Sequence, residues 1–105
     1  MVSLRKVVEL HLYSDLRLEQ LARLCHMSLS TFKREFKREF NENPNSYIVS
    51  RRVEKARELL SITDLPVSEI AFNTGFNDPQ YFTRIFRNKT GVSPTRYRMG
   101  FKVTE

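Results

Sequence analysis

The sequence contains few of the residues that interrupt regular structure. Its 105 residues include three glycines, four prolines and no tryptophan. Because sandwiches and barrels need many turns, and turns favour glycine and proline, this scarcity argues against both architectures. A hydrophobic content of 40% is still enough for a packed core. The composition therefore favours one all-helical domain over residues 1–105.

Cysteine and histidine are scarce as well, which limits the available chemistry. The single Cys25 excludes an internal disulfide, and one cysteine with two histidines lacks the spaced pairs of a structural zinc site. His11, Cys25 and His26 are the only candidates for a catalytic centre, but adjacent residues at a helix end point in different directions. A core cysteine beside an exposed turn histidine is the favoured alternative. The sequence thus indicates no enzyme, no metal and no cofactor.

Long apolar runs are missing too. Residues 1–13 hold no uninterrupted apolar segment that could serve as a signal peptide or span a bilayer. We therefore expect a soluble, cytoplasmic protein.

Positive charge is in excess. Eighteen Lys and Arg stand against twelve Asp and Glu, for a formal charge of +6. This balance favours a polyanionic partner, with nucleic acid first and an anionic membrane surface second. Residues 79–104 carry no acidic side chain. They carry six basic ones, which are Arg84, Arg87, Lys89, Arg96, Arg98 and Lys102.

Apolar spacing and capping residues predict about seven helices. Ser28 is a plausible N-cap, and Asp78 followed by Pro79 is typical of a helix start. The predicted ranges are approximately 2–13, 18–25, 29–40, 44–61, 67–73, 79–90 and 94–99, with residues 101–105 as a loose end.

The two halves of the chain resemble each other. Residues 16–22 align with residues 65–71, and residues 32–37 align with residues 82–87, at offsets of 49 and 50. Each unit is a short helix with an alanine, a tight turn, and a helix with two phenylalanines on one stripe. This pattern predicts two helix-turn-helix units. Gly75 suits a turn with positive φ, whereas His26 at the matching place fits less well.

The second helix of each unit turns polar side chains away from its phenylalanines. Arginine and lysine can bind guanine, glutamine can pair with adenine, and threonine or tyrosine can contact a thymine methyl. The alternative is ordinary solvated surface, and phosphate contact is the favoured role for most of the basic residues. The outward residues are Ser30, Lys33, Arg34 and Lys37 in the first unit, and Gln80, Thr83, Arg84 and Arg87, with Tyr81 on the flank, in the second.

The helix between the units has a length that suits DNA. At 1.5 Å per residue it would span roughly 27 Å, close to the ~34 Å of one DNA turn. One chain could therefore present two helices to successive major grooves of an asymmetric site.

A long motif in the second half resembles the signature of the AraC/XylS family of bacterial transcription regulators. Its residues are Ile70, Ala71, Gly75, Phe76, Asp78, Tyr81, Phe82, Arg84, Phe86, Gly91, Ser93, Pro94, Tyr97 and Arg98. The first half and the linker agree through Leu21, Ala22, Met27, Ser28, Phe32, Lys33, Arg34, Phe36, Lys37, Pro44, Tyr47, Ile48, Arg52, Val53, Ala56, Leu59 and Leu60. Departures lie at His26, Asn41 and Asn43.

The resemblance implies a seven-helix DNA-binding domain with subdomains at residues 4–43 and 65–99 and a linker helix at residues 44–62. It also implies contact with RNA polymerase, and an effector or dimerisation domain outside this chain. The implied base or phosphate contacts are Ser30, Thr31, Lys33, Arg34, Gln80, Tyr81, Thr83 and Arg84. With the outward basic residues, the predicted DNA contacts extend to Lys37 and Arg87, and the predicted phosphate contacts are Arg38, Lys89, Arg96 and Arg98.

Two other binding modes fit the charge alone. A basic helical module could bind nucleic acid without sequence preference or lie on an anionic surface. Recurrence of Phe32, Phe36, Phe82 and Phe86 at equivalent positions favours two internal cores over lipid anchors. RNA binding lacks the aromatic stacking motifs of RNA-recognition sheets.

Overall fold

The structure, a computed structural model, describes residues 3–103, with side chains described through residue 100. Over that range the chain is entirely helical apart from its connections, without a strand. The all-helical prediction is confirmed. The seven helices of this range are α1 Leu4–Leu10, α2 Leu18–Leu24, α3 Leu29–Phe40, α4 Pro44–Ile62, α5 Val67–Asn73, α6 Pro79–Thr90 and α7 Pro94–Val103.

Two predicted ends are wrong. Helix α1 stops at Leu10, because residues 11–13 form turns in which Leu12 is buried in the core. Helix α7 continues through Val103, so the backbone of residues 101–103 is helical where a loose end was predicted. Val2 and residues 104–105 lie outside the described residues, as does the side chain of Lys102.

Side-chain caps begin the three long helices. Ser28 Oγ accepts from the Thr31 amide before α3 at 3.2 Å, and Asp78 Oδ1 accepts from the Gln80 amide before α6 at 3.0 Å. Asn43 Oδ1 accepts from the Asn45 amide at 2.9 Å before α4. These bonds satisfy amides that have no partner within the helix, so each helix starts at a defined residue.

The buried side chains form two clusters, one in each half of the chain. The first contains Val8, Leu12, Leu21, Ala22, Cys25, Phe32, Phe36 and Ile48. The second contains Val53, Ala56, Leu60, Ile70, Ala71, Phe76, Phe82 and Phe86. Helix α4 supplies Ile48 to the first cluster and Val53, Ala56 and Leu60 to the second, so one helix completes both cores.

The internal repeat is present in the packing of the aromatic rings. The Phe32–Phe36 and Phe82–Phe86 centroids are 5.8 and 5.7 Å apart. Tyr47 meets Phe36 edge-on at 5.6 Å, and its counterpart Tyr97 meets Phe86 edge-on at 5.6 Å. Edge-to-face rings of this kind add to the energy of burial. The two units therefore close in the same way.

His26 and Asn41, two of the positions at which the first half departs from the family pattern, have the same left-handed backbone conformation as the glycines that they replace. His26 has φ +59, in the same left-handed region as Gly75 at φ +98. Asn41 ends α3 with φ +59, as Gly91 ends α6 with φ +88. The weaker match expected at His26 is therefore a difference of side chain, not of turn geometry. Asparagine tolerates this region well, and histidine is enriched there too.

The arrangement of two cores along one helix makes the molecule long. Its principal extents are 49 × 22 × 22 Å, and its radius of gyration is 15.2 Å. A spherical domain of about 100 residues has a radius of gyration near 13 Å. Helix α4 packs against α3 in one half of its length and against α5, α6 and α7 in the other half.

Phe86→Ala should lower the free energy of unfolding by about 3–5 kcal/mol, because it removes a fully buried ring and leaves a cavity. Phe72→Ala is the matched control, since Phe72 is 53% exposed and should contribute less than about 1 kcal/mol. Urea unfolding followed by circular dichroism measures both. Equal midpoints for the two variants would contradict the buried assignment.

Candidate nucleic-acid interface

Helix α3 presents a polar, basic face to solvent. Burial of Phe32 and Phe36 fixes the rotation of the helix, and Ser30, Lys33, Arg34 and Lys37 are exposed as a result. Arg38 is exposed on the same helix, while Thr31 is half-buried and shares hydrogen bonds with the capping residue Ser28.

Helix α6 repeats this face with a different composition. Burial of Phe82 and Phe86 leaves Gln80, Arg84 and Arg87 exposed, and Thr83 half-buried. Tyr81 is 40% exposed, with its ring 6.0 Å from that of Phe76. The guanidinium carbon of Arg84 lies 5.4 Å from the centre of the Tyr81 ring. This is the geometry of a cation–π contact, which is weak at an exposed site.

Residues from the amino-terminal halves of α3 and α6 line one cleft along α4. The cleft has a volume of about 370 Å³. Its lining includes Leu29 and Lys33 from α3, and Phe76 and Tyr81 from the second unit. Arg52 of α4 lies between these groups. The amino-terminal parts of both helices are therefore presented on the same side of α4.

The electrostatics of the two faces differ. On α3, Glu35 lies 3.1 Å from Arg38 and 4.0 Å from Arg34, so one acidic residue offsets part of the positive charge. On α6, Arg84, Arg87 and Lys89 have no acidic residue on their own helix. Exposed ion pairs are weak and screened by salt, so Arg34 and Arg38 remain available to an anionic partner. The second unit carries the stronger positive surface.

Arg96 and Arg98, both predicted to contact phosphate, lie in different environments. Arg96 is exposed on α7 beside Thr95 and Met99. Arg98 is half-buried, and its guanidinium donates to the carbonyl oxygens of Leu60 and Thr63, each at 3.2 Å. Those carbonyls lie at the end of α4, where a cation is favourable. This geometry favours a structural role for Arg98.

A cluster of polar and charged side chains in the first unit lies away from the cleft. The Tyr47 hydroxyl donates to Glu9 at 2.7 Å, and Arg51 donates to both oxygens of Glu9 at 3.1 and 3.3 Å. The hydrogen bond from Tyr47, followed by the contacts with Arg51, holds the pKa of Glu9 below its ordinary value. The cluster joins α1 to α4.

The residues that could have formed a catalytic pair have structural positions. Cys25 is 7% exposed in the first core, and burial raises the pKa of its thiol. His26 is exposed in the turn, and His11 ends α1. A buried thiol with a raised pKa is a poor nucleophile. The interpretation of Cys25 as a core residue is confirmed.

Arg52 was matched in the family pattern but was assigned no role from the sequence. Its Nε donates to the Leu12 carbonyl at 2.8 Å, and its terminal nitrogens donate to the carbonyls of Ser14 and Gly75 at 2.7 and 3.3 Å. A signal for it exists in the sequence, because Ile48, Arg52, Ala56 and Leu60 are spaced four apart. An arginine on an otherwise apolar stripe of a helix indicates a partly buried, hydrogen-bonded cation.

The phenylalanines of both units are internal. Phe32, Phe36, Phe82 and Phe86 are each 0% exposed, so they do not form an exposed lipid anchor. Among residues 3–103, no helix combines the length and apolar character needed to cross a bilayer.

The protein family described as Helix-turn-helix domain matches residues 21–100. The HTH-type transcriptional regulator ExsA of Pseudomonas aeruginosa is 33% identical over 97 residues, which are 92% of this chain and 35% of that protein. The HTH-type transcriptional activator RhaS of Klebsiella pneumoniae is 34% identical over 93 residues, or 89% of this chain and 34% of that protein. The chain thus spans about a third of the length of these curated relatives.

Solved structures show the same arrangement. The DNA-binding domain of AdpA, described as a global transcriptional factor and crystallised with a target DNA, has a TM-score of 0.87 at 32% identity. That similarity covers 94% of this chain and 92% of the AdpA chain. The C-terminal domain of the response regulator yesN from Fusobacterium nucleatum has a TM-score of 0.85 at 29% identity, over 90% and 93% of the two chains.

Arg98→Ala should destabilise the fold by about 1–2 kcal/mol, because it leaves carbonyls at the end of α4 without their charged donor. Arg96→Ala, which removes the same charge from an exposed position two residues earlier, should leave stability within about 0.5 kcal/mol. Thermal unfolding of both variants tests the assignment. If the two melting temperatures matched that of the unsubstituted chain, Arg98 would return to the candidate phosphate contacts.

Proposed function

The chain belongs to the AraC-type helix-turn-helix family of bacterial transcription regulators, and we propose that it reads a specific double-stranded DNA site with both of its units. The observation that carries this proposal is the pair of basic helices, α3 and α6, whose amino-terminal halves flank one cleft along α4. Recognition helices of helix-turn-helix proteins contact base edges through their amino-terminal residues.

The dimensions of the molecule support the use of successive major grooves. Helix α4 has 19 residues, which is about 28 Å at 1.5 Å per residue. The long axis of the molecule is 49 Å, more than the ~34 Å of one DNA turn. One chain would then read two blocks of bases, each block being the stretch contacted by one helix, without two-fold symmetry in the site. Bending of the DNA would take up the remaining mismatch.

The side chains suggest how the contacts divide. Lys33, Arg34, Gln80 and Arg84 are exposed in the amino-terminal halves of their helices and have the donors that read guanine and adenine. Base reading in the second unit starts at Gln80, because Pro79 has no amide donor. Ser30, Thr31, Tyr81 and Thr83 extend the base contacts, and the proposed phosphate contacts are Lys37, Arg38, Arg87, Lys89 and Arg96.

The remainder of the regulatory function rests on the relatives. This chain spans only about a third of their length, which supports an effector or dimerisation domain outside it. The transcriptional activator RhaS among them supports activation of transcription, with RNA polymerase as the protein partner. Promoter binding of this kind takes place in the bacterial cytoplasm.

Selection of bound duplexes from a random DNA pool, at low and at raised salt, tests the proposal. We expect an asymmetric site with two blocks about one helical turn apart. A single block would mean that one unit reads bases while the other grips phosphates. Retention without enrichment, lost at raised salt, would instead establish a non-specific basic module.

Arg84→Ala should weaken binding to the selected duplex by about 1–3 kcal/mol and leave binding to random duplex nearly unchanged, if the guanidinium pairs with a base. Arg96→Ala should weaken binding to both duplexes alike, as expected of a phosphate contact. Fluorescence anisotropy titrations at fixed salt measure the four affinities.

Arg84→Lys is the matched control for this prediction. It keeps the charge but lacks the planar fork needed for bidentate pairing, so it should lose discrimination while keeping affinity for random DNA. An equal loss on selected and random duplex for Arg84→Ala would rule out base reading by Arg84.

A further inference from the structure

Arg52 connects three segments of the chain that are distant in sequence. It belongs to α4, forms no salt bridge with the side chains of residues 3–100, and donates its guanidinium hydrogens to backbone carbonyl oxygens instead. Two of its acceptors, the carbonyls of Leu12 and Ser14, belong to the connection between α1 and α2. The third, the carbonyl of Gly75, belongs to the turn between α5 and α6. One side chain is therefore bonded to both helix-turn-helix units.

The turn in the second unit is shaped around this side chain. A Cβ placed on Gly75 would lie 2.7 Å from Arg52 Nε and 2.9 Å from its guanidinium carbon. Gly75 also has φ +98, a conformation that disfavours any other residue. The guanidinium thus packs directly on the turn that leads into α6.

The partners of Arg52 are backbone atoms, which makes its bonds sensitive to position. A planar guanidinium has five donors in fixed directions, so it can hold three carbonyls only in one arrangement. Burial lowers the pKa of this group below its usual value, but arginine stays charged at neutral pH. A half-buried charge that loses its carbonyl partners is unfavourable, so the bonds favour holding the three segments together.

Neighbouring arginines of α4 lack this double connection. Arg51 bonds to Glu9 and Tyr47, which belong to the first unit and the start of α4. Arg57 bonds to Tyr97 of the second unit and to Glu54. Arg51 therefore offers a control of the same residue type, one position away.

We propose that Arg52 is a positioning residue that fixes the angle and distance between the two DNA-reading helices, and so sets the spacing between blocks that the protein accepts. This inference rests on the proposed function of two reading units. Its physical basis is that a fixed arrangement of two binding units avoids an ordering penalty when both bind at once. Loss of the bonds from Arg52 would leave each unit able to read its own block, but no longer in register with the other.

The experiment compares binding to four duplexes by the unsubstituted chain, Arg52→Ala, Arg52→Lys and Arg51→Ala. The duplexes are the selected site, the site with either block scrambled, and the site with one base pair inserted between the blocks. The gain from the second block is the ratio of Kd for a scrambled duplex to Kd for the full site. Global unfolding of a fraction of the molecules weakens every Kd by the same factor, so it leaves this ratio unchanged. Unfolding of one unit alone would instead abolish binding to the duplex that keeps only the block of that unit.

The expected result for Arg52→Ala is a gain reduced about tenfold, with single-block affinity kept and the penalty for the inserted base pair largely removed. Arg52→Lys keeps the charge but cannot span three carbonyls, so it should shift both quantities in the same direction by a smaller amount. Arg51→Ala should keep both at the level of the unsubstituted chain.

Two results would overturn the inference, and they are distinguishable. If Arg52→Ala and Arg52→Lys kept the full gain and the full insertion penalty, the positioning role would be wrong while two-unit reading stood. If the unsubstituted chain showed no gain from a second block, the proposed function would fail, and the inference would fall with it. Circular dichroism of each variant confirms the helical content of the samples that are titrated.

Discussion

Both halves of this molecule depend on a single rigid helix for their last core residues. Helix α4 gives Ile48 to one hydrophobic cluster and Val53, Ala56 and Leu60 to the other. An α-helix rises 1.5 Å per residue and does not stretch, so closing each core against it limits how far apart the two units can lie. The elongated shape and the common cleft of α3 and α6 both follow from this sharing.

The boundary between the two cores lies within α4. Between Ile48 and Val53 the helix adds no fully buried side chain to either cluster, and Arg52 occupies that boundary with bonds to the backbone of both units. A large apolar residue at position 52 would need apolar side chains from both units to cover it. An arginine that donates to carbonyl oxygens of both units joins them without a third hydrophobic core.

The sequence predicted the elements well where local chemistry decides them. The caps Ser28 and Asp78, the buried phenylalanines, and the limits of α3, α5 and α6 all follow from short patterns. The ends of α1 and α7 were missed, because burial of Leu12 interrupts the first and Gly100 does not stop the second before Val103. The role of Arg98 was not predictable from charge, since its acceptors are carbonyls 35 and 38 residues away. The outward faces of α3 and α6 followed from helical period, but their common cleft required the packing on α4.

The turns of the two units share a backbone shape and yet are not interchangeable. His26 and Gly75 both adopt positive φ, but the Gly75 turn is in contact with Arg52. If the first unit were copied into the place of the second, the histidine side chain would enter the volume of the guanidinium. The two repeats are thus constrained differently: the first turn accommodates the side chain of His26, whereas any side chain at Gly75 would displace the Arg52 guanidinium from its carbonyl partners.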